Sequence, residues 1–154
     1  MKLILVLCAL LFSAAIASAS YPYACGPYSC KTGEVCRTID NVCHCIPIPQ
    51  CYDVTLSQKV IGTWVDGRDG KTYTQYDVTI TNHMNRNIKN LIIDTDYTLR
   101  LRDNSSIWNV NRLANNDLTL PSYQPSINAH ASFTFGFILQ GTQPAHLAIK
   151  AVVY

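Results

Sequence analysis

From residue 132 to 139 the chain alternates, with Phe133, Phe135, Phe137 and Leu139 set against Ser132, Thr134, Gly136 and Ile138. Side chains two apart on a strand point the same way, so such a run buries one face and turns the other to water. Three other stretches repeat the pattern. Tyr76, Val78 and Ile80 stand opposite Asp77, Thr79 and Thr81, and Leu99 and Leu101 flank Arg100. Near the end, Leu147, Ile149, Ala151 and Val153 are expected to share one face. Turn-forming residues separate these runs at Asp66-Gly67-Arg68-Asp69-Gly70, at 82–87, at Asp103-Asn104 and at Leu120-Pro121. No segment carries a helical stripe. The predicted fold class is all-β, an antiparallel β-sandwich of immunoglobulin or jelly-roll type preceded by a small disulfide-rich module.

The cysteines divide the chain differently from the strands. Residues 1–19 read as a secretory signal peptide: Lys2, an apolar run from Leu3 to Ile16, then Ala17-Ser18-Ala19 before the expected cleavage. A transmembrane helix would need about twenty apolar residues, and no later segment supplies them. Removing residues 1–19 takes Cys8 away and leaves Cys25, Cys30, Cys36, Cys43, Cys45 and Cys51. An even set in an oxidising compartment reads as three disulfides, with all fifteen pairings open. Cys43-His44-Cys45 also has the look of a zinc cluster, a reading that secretion disfavours. Residues 20–51 thus form a Cys-rich module, ended by an extended connector at Ile46-Pro47-Ile48-Pro49. Residues 52–154 contain no cysteine and must stand on packed apolar faces. Asn104-Ser105-Ser106 is a glycosylation sequon, expected on an exposed loop.

Charge excludes several classes of partner. With Lys2 removed, eleven basic residues face ten acidic ones, and no basic run tracks a phosphate backbone. Nucleic acid and membrane partners are therefore not expected. Glycosidase chemistry needs two carboxylates flanking the bond, one of them kept protonated. The chain has one glutamate, Glu34, and among the aspartates only Asp94 and Asp96 make a plausible pair. A solvated strand edge accounts for that pair more simply. No G-x-S-x-G occurs, and His83, His130 and His146 lack metal-ligand spacing. No enzyme activity, metal or cofactor is expected.

Trp64, Tyr73, Trp108 and Tyr123 lie among Gly, Asp, Asn, Ser and Pro rather than inside the apolar runs. Rings so placed can present flat faces to sugar rings, although each taken singly is more often core or rim. Their order carries a resemblance. Thr63-Trp64, a Gly-containing turn, Tyr73-Thr-Gln-Tyr76-Asp-Val-Thr-Ile-Thr-Asn82, Ile88-Lys-Asn-Leu-Ile-Ile, Ile107-Trp108-Asn-Val, Leu120-Pro121-Ser122-Tyr123 and Phe133-Thr-Phe135-Gly136-Phe137-Ile138 follow one another. This series over about 52–152 resembles the family 49 carbohydrate-binding module. The cysteine pattern of 25–51 is similar to the follistatin-like modules of amoebal matrix proteins.

The resemblance implies non-catalytic binding of cellulose or a related β-glucan through exposed aromatics at Tyr73, Trp108 and Tyr123, with Trp64 as a fourth candidate. Tyr123 departs from the family, which commonly has Trp there, and the turn between Trp64 and Tyr73 is longer than usual. Asn109 and Gln75 are candidates to hydrogen-bond sugar hydroxyls. The expected setting is extracellular, in a matrix, sheath or wall, with other matrix proteins as further partners. The alternative reading is a secreted protein-interaction or inhibitor module that uses the Cys-rich region.

Overall fold

The computed structural model describes residues 29–154, so the expected signal segment and Cys25 lie outside the described residues. The strands are β1 (Glu34–Ile39), β2 (Val42–Pro47), β3 (Val54–Val65), β4 (Thr72–Asn82), β5 (Asn90–Thr95), β6 (Ile107–Trp108), β7 (Asn111–Arg112), β8 (Leu118–Thr119), β9 (Ser132–Gln140) and β10 (Leu147–Val153). They form a six-stranded sheet ordered β2-β1-β10-β5-β8-β7 and a four-stranded sheet ordered β3-β4-β9-β6. The expected all-β sandwich is the fold observed. Among the described residues, no helix is long and apolar enough to cross a membrane.

Between the sheets, Tyr76, Val78 and Ile80 of β4 and Phe135, Phe137 and Leu139 of β9 pack with Leu91 and Ile93 of β5, Leu118, Ile149 and Val152. All but Ile149 and Tyr76 are at most 1% exposed. Burying a side chain of this size contributes about 1.5–3 kcal/mol, so the two alternating runs supply much of the driving force. Asn82 ends β4 inside this core. Its amide donates to the carbonyls of Arg86, Ile127 and Asn128, and its Oδ1 accepts from the Met84 N–H. A buried amide satisfied in this way rigidifies the turn that follows.

The structure departs from the alternation in β10. Its register against β5 shifts between Ile149 and Ala151, a β-bulge. One extra residue reverses which side chains face inward. Leu147, Ile149 and Val152 therefore face the core, while Ala151 and Val153 join Cys36, Ile92 and Leu113 in a small cluster on the other face. The expectation that Leu147, Ile149, Ala151 and Val153 share one face is corrected accordingly.

The Cys-rich segment is built into the sandwich. β1 pairs in parallel with β10 at Cys36↔Ala151, Arg37↔Val152 and Thr38↔Val153, and antiparallel with β2. Arg37 ion-pairs with Asp53 at the entry to β3, and the Tyr154 N–H donates to the Thr38 carbonyl. β2 and β1 thus form one edge of the six-stranded sheet. The connector is also revised: Pro47 closes β2, and Ile48–Gln50 winds into a 3-10 turn instead of staying extended. Proline suits both places, since an edge strand and a first helical turn each dispense with an N–H donor.

Cys30 and Cys45 form a disulfide, and Cys43 is also disulfide-bonded. With both of those sulfurs used, Cys43-His44-Cys45 has no thiolates to offer zinc. Cys36 is fully buried, its Sγ 3.2 Å from Cys30 Sγ and 3.6 Å from Cys43 Sγ. Cys51 is not disulfide-bonded, which corrects the expectation that all six cysteines pair. It sits half-buried against the sandwich core at the approach to β3, off the β1–β2 ladder that holds Cys36, Cys43 and Cys45, and burial pushes its thiol pKa up.

Candidate functional site

A second register shift among the described residues acts on the other sheet. In β3 the register against β4 shifts between Val60 and Gly62. Before the shift Thr55, Ser57 and Lys59 oppose Thr81, Thr79 and Asp77 on the outer face. After it Gly62 and Trp64 oppose Gln75 and Tyr73. Uninterrupted alternation would have turned Trp64 toward the six-stranded sheet; the bulge turns it outward.

The outer face of the four-stranded sheet can be read in rows across the strands. One row runs Trp64, Tyr73, Gln140, and the next Gly62, Gln75, Ile138. The following row runs Lys59, Asp77, Gly136, Trp108. Beyond it, hydroxyl pairs Thr79–Thr134 at 3.2 Å and Thr81–Ser132 at 3.1 Å cross between β4 and β9. Three of the four aromatic candidates thus stand on one face. Rows two residues apart on a strand are about 7 Å apart, and neighbouring strands about 4.8 Å. From the Tyr73 row to the Trp108 row is therefore about 14 Å along the strands.

Trp108 is partly exposed and lies across Gly136. A Cβ placed on Gly136 would come within 2.4 Å of Trp108 Cζ2, 2.6 Å of Cε2 and 2.7 Å of Nε1. The indole therefore rests directly on β9 backbone, in space that only glycine leaves open. Asn109 follows with a left-handed backbone (φ 59), a conformation that asparagine tolerates better than most residues. Its Oδ1 accepts a 2.8 Å hydrogen bond from the Tyr123 hydroxyl. Tyr123 is 68% exposed, so this bond ties an outward ring from the 120–124 loop to the residue beside Trp108.

Tyr73 is the exception. Expected to stand exposed, it is 4% exposed. It points to the outer face but is clothed there: the Trp64 ring lies 6.4 Å away at 38°, and the Arg102 guanidinium sits 5.1 Å from its centroid. Its hydroxyl donates to Asp69 Oδ2 at 2.6 Å, and Arg102 is held in turn by Asp66 Oδ2 at 2.6 Å. The long turn explains the burial. Asp66 and Asp69 accept from the N–H groups of Arg68 and Lys71, which folds 66–71 back over the ring. The Tyr73 hydrogen bond, then the Lys71 N–H, hold the Asp69 carboxyl below its ordinary pKa, and Asp69 in turn pushes the Tyr73 phenol up. Tyr73 therefore serves as a base on which Trp64 and Arg102 rest.

Gln75 is partly buried on the same face between Gly62 and Ile138. Asn104 is exposed, in a turn between Arg102 and Ser106. Asp94 and Asp96 do not converge on a shared proton. Asp94 pairs with Lys150, while Asp96 accepts from Thr98 and lies near His146. Hydrogen bonds from Thr98 hold the Asp96 carboxyl below its ordinary pKa, the reverse of what a general acid needs. Sequence reasoning missed Arg102, Gly136 and the two turn aspartates. Gly136 was legible in principle, as the one small residue inside the phenylalanine run.

The family model described as Carbohydrate binding domain CBM49 matches residues 54–140. The chain is 66% identical to Stalk-specific protein A and 64% identical to Stalk-specific protein B of Dictyostelium discoideum, with both alignments covering 100% of each chain. Among solved structures, Chitinase ChiA74 from Bacillus thuringiensis is similar with a TM-score of 0.44 and 18% identity, over 68% of this chain and 16% of that one. So slight a likeness carries no functional weight.

Proposed function

The chain belongs to the CBM49 family of carbohydrate-binding domains, and from that premise we propose that it binds cellulose or a related β-glucan, without catalysis, on the outer face of its four-stranded sheet. The observation that carries this reading is the Trp108 indole laid flat on Gly136, on the same face as Trp64. Trp108, Trp64 and Tyr123 are the ring platforms, and Tyr73 supports the Trp64 end. The axial C–H groups of a β-linked glucan form an apolar surface that stacks on such rings. By analogy with base stacking, each ring contributes roughly 1–3 kcal/mol, so several in a row are needed to offset the cost of association. The Lys59–Asp77 and Arg102–Asp66 charges balance on this face, which suits a neutral polymer.

The names of the full-length relatives refer to a stalk. We extend that to this chain as a secreted component of an extracellular wall or matrix. Sedimentation with microcrystalline cellulose tests the binding: the wild-type protein made without N-glycans should pellet, and Trp108→Ala made the same way should stay in solution. Glycan-free wild-type protein left wholly in the supernatant would refute the reading.

A further inference from the structure

The edge of the aromatic face is interrupted at one place. Leu101 bridges to Leu139 and Ile107 pairs with Phe137, so the chain takes six steps where β9 takes two. Both backbone bonds that bracket the excursion go to one residue. The Arg102 N–H donates to the Ile138 carbonyl at 2.9 Å, and the Ile138 N–H donates to the Ser106 carbonyl at 2.9 Å. Residues 103–105 are therefore looped out from the rim, with Asn104 exposed at the middle. Asp103 Oδ1 fixes the loop by accepting from the Ser105 N–H at 2.9 Å and the Ser105 hydroxyl at 2.6 Å. Ile138 stands between the Trp64–Tyr73 row and the Trp108 row, one two-residue step, about 7 Å, from each.

We propose that Asn104 carries an N-linked glycan that overhangs this rim and keeps extended flat surfaces off the rings, while a single glucan chain still reaches them. The inference rests on the reading of the face given above. Asn104-Ser105-Ser106 supplies the acceptor amide and the required hydroxyl. The glycan is joined through the Asn104 side-chain nitrogen, and the lipid carrier of the oligosaccharide is the leaving group. In the folded protein Ser106 is 6% exposed, so transfer takes place on the unfolded chain, before the loop closes. A bulky hydrated group anchored midway between the two ring clusters collides with a planar crystal face that must lie across both. A lone chain runs obliquely over β4 and β9 from the Trp64 row to the Trp108 row and passes inside the rim.

The test uses the full chain secreted from a eukaryotic host, before and after release of N-glycans by an amidase, together with Asn104→Gln. Mass should fall on amidase treatment of the wild-type protein and stay unchanged for Asn104→Gln. Adsorption to microcrystalline cellulose should rise several-fold in both glycan-free forms, and affinity for a soluble cello-oligosaccharide should change less than twofold. An unchanged wild-type mass, or equal adsorption with and without the glycan, overturns the proposal. If neither form adsorbs and neither takes the soluble oligosaccharide, it is the glucan-binding reading itself that fails.

Discussion

Gly136→Ala asks whether the indole of Trp108 is a platform laid on bare backbone. The added methyl carbon falls 2.4 Å from Trp108 Cζ2, where ordinary carbon contacts are about 3.5–4.0 Å. The ring must rise or tilt by about 1 Å or more, since the atom beneath it belongs to a strand paired on both sides. Overpacking of this kind costs about 1–3 kcal/mol in an interior. Trp108 lies on a two-residue edge strand that can yield, so a stability loss near 1 kcal/mol is expected. Binding should suffer more. Loss of one stacked ring, roughly 1–3 kcal/mol, weakens association roughly 5- to 150-fold at about 1.4 kcal/mol per tenfold. Gly62 provides the control, because it lies on the same face of the sheet and a Cβ there meets nothing within 4 Å. Adsorption isotherms on microcrystalline cellulose and urea unfolding should be run on both variants. Wild-type adsorption by Gly136→Ala, or an equal loss in Gly62→Ala, would refute the reasoning.

Cys30→Ser with Cys45→Ser opens a loop with a sequence separation of 15, so unfolding free energy in urea should fall by about 3 kcal/mol; adsorption to cellulose should persist because the bridge belongs to the other sheet. Tyr154 is 4% exposed, and its hydroxyl has no partner among the described residues. Tyr154→Phe should therefore gain about 1 kcal/mol in the same assay. Burial pushes the Tyr154 phenol well above its ordinary value of 10.0. The neutral form is thus favoured by folding, and the stability it lends is present below pH 10 and lost as pH rises beyond it. An alkaline unfolding series should show that loss in the wild-type protein and less of it in Tyr154→Phe. Asn109→Ala forces a non-glycine, non-asparagine residue into the left-handed region and should cost about 1–2 kcal/mol. Asn109→Gly keeps the backbone and should leave stability near wild type while weakening cellulose adsorption, because the Tyr123 ring is then untethered.

Much of the architecture was legible because alternation is local. Phe133 to Leu139 and Tyr76 to Ile80 specify two neighbouring strands and their buried faces without reference to anything distant. The loop at Asn104 could also be read, from Asp103 and Asn104 themselves. Tyr73 could not. It sits one step outside an alternating run and does point outward, yet its burial depends on Arg102, some thirty residues on, and on a turn folded by Asp66 and Asp69. Cysteine number likewise says nothing of distance. It implied closure of all six, whereas the chain turning into β3 carries Cys51 off the β1–β2 ladder that holds Cys36, Cys43 and Cys45.

The order of residues by itself determined that this is an all-β chain, where its turns fall, and which rings lie outside the apolar runs. Those properties follow from the two-residue period of a strand and from turn chemistry, both set by near neighbours. Only the tertiary structure decided which rings share a face. One extra residue in β3 turns Trp64 outward, another in β10 turns Ala151 away from the core, and a missing side chain at 136 lets Trp108 lie down. Each depends on what the partner strand presents across the ladder, and a partner fixed by hydrogen bonds between distant segments has no local signature.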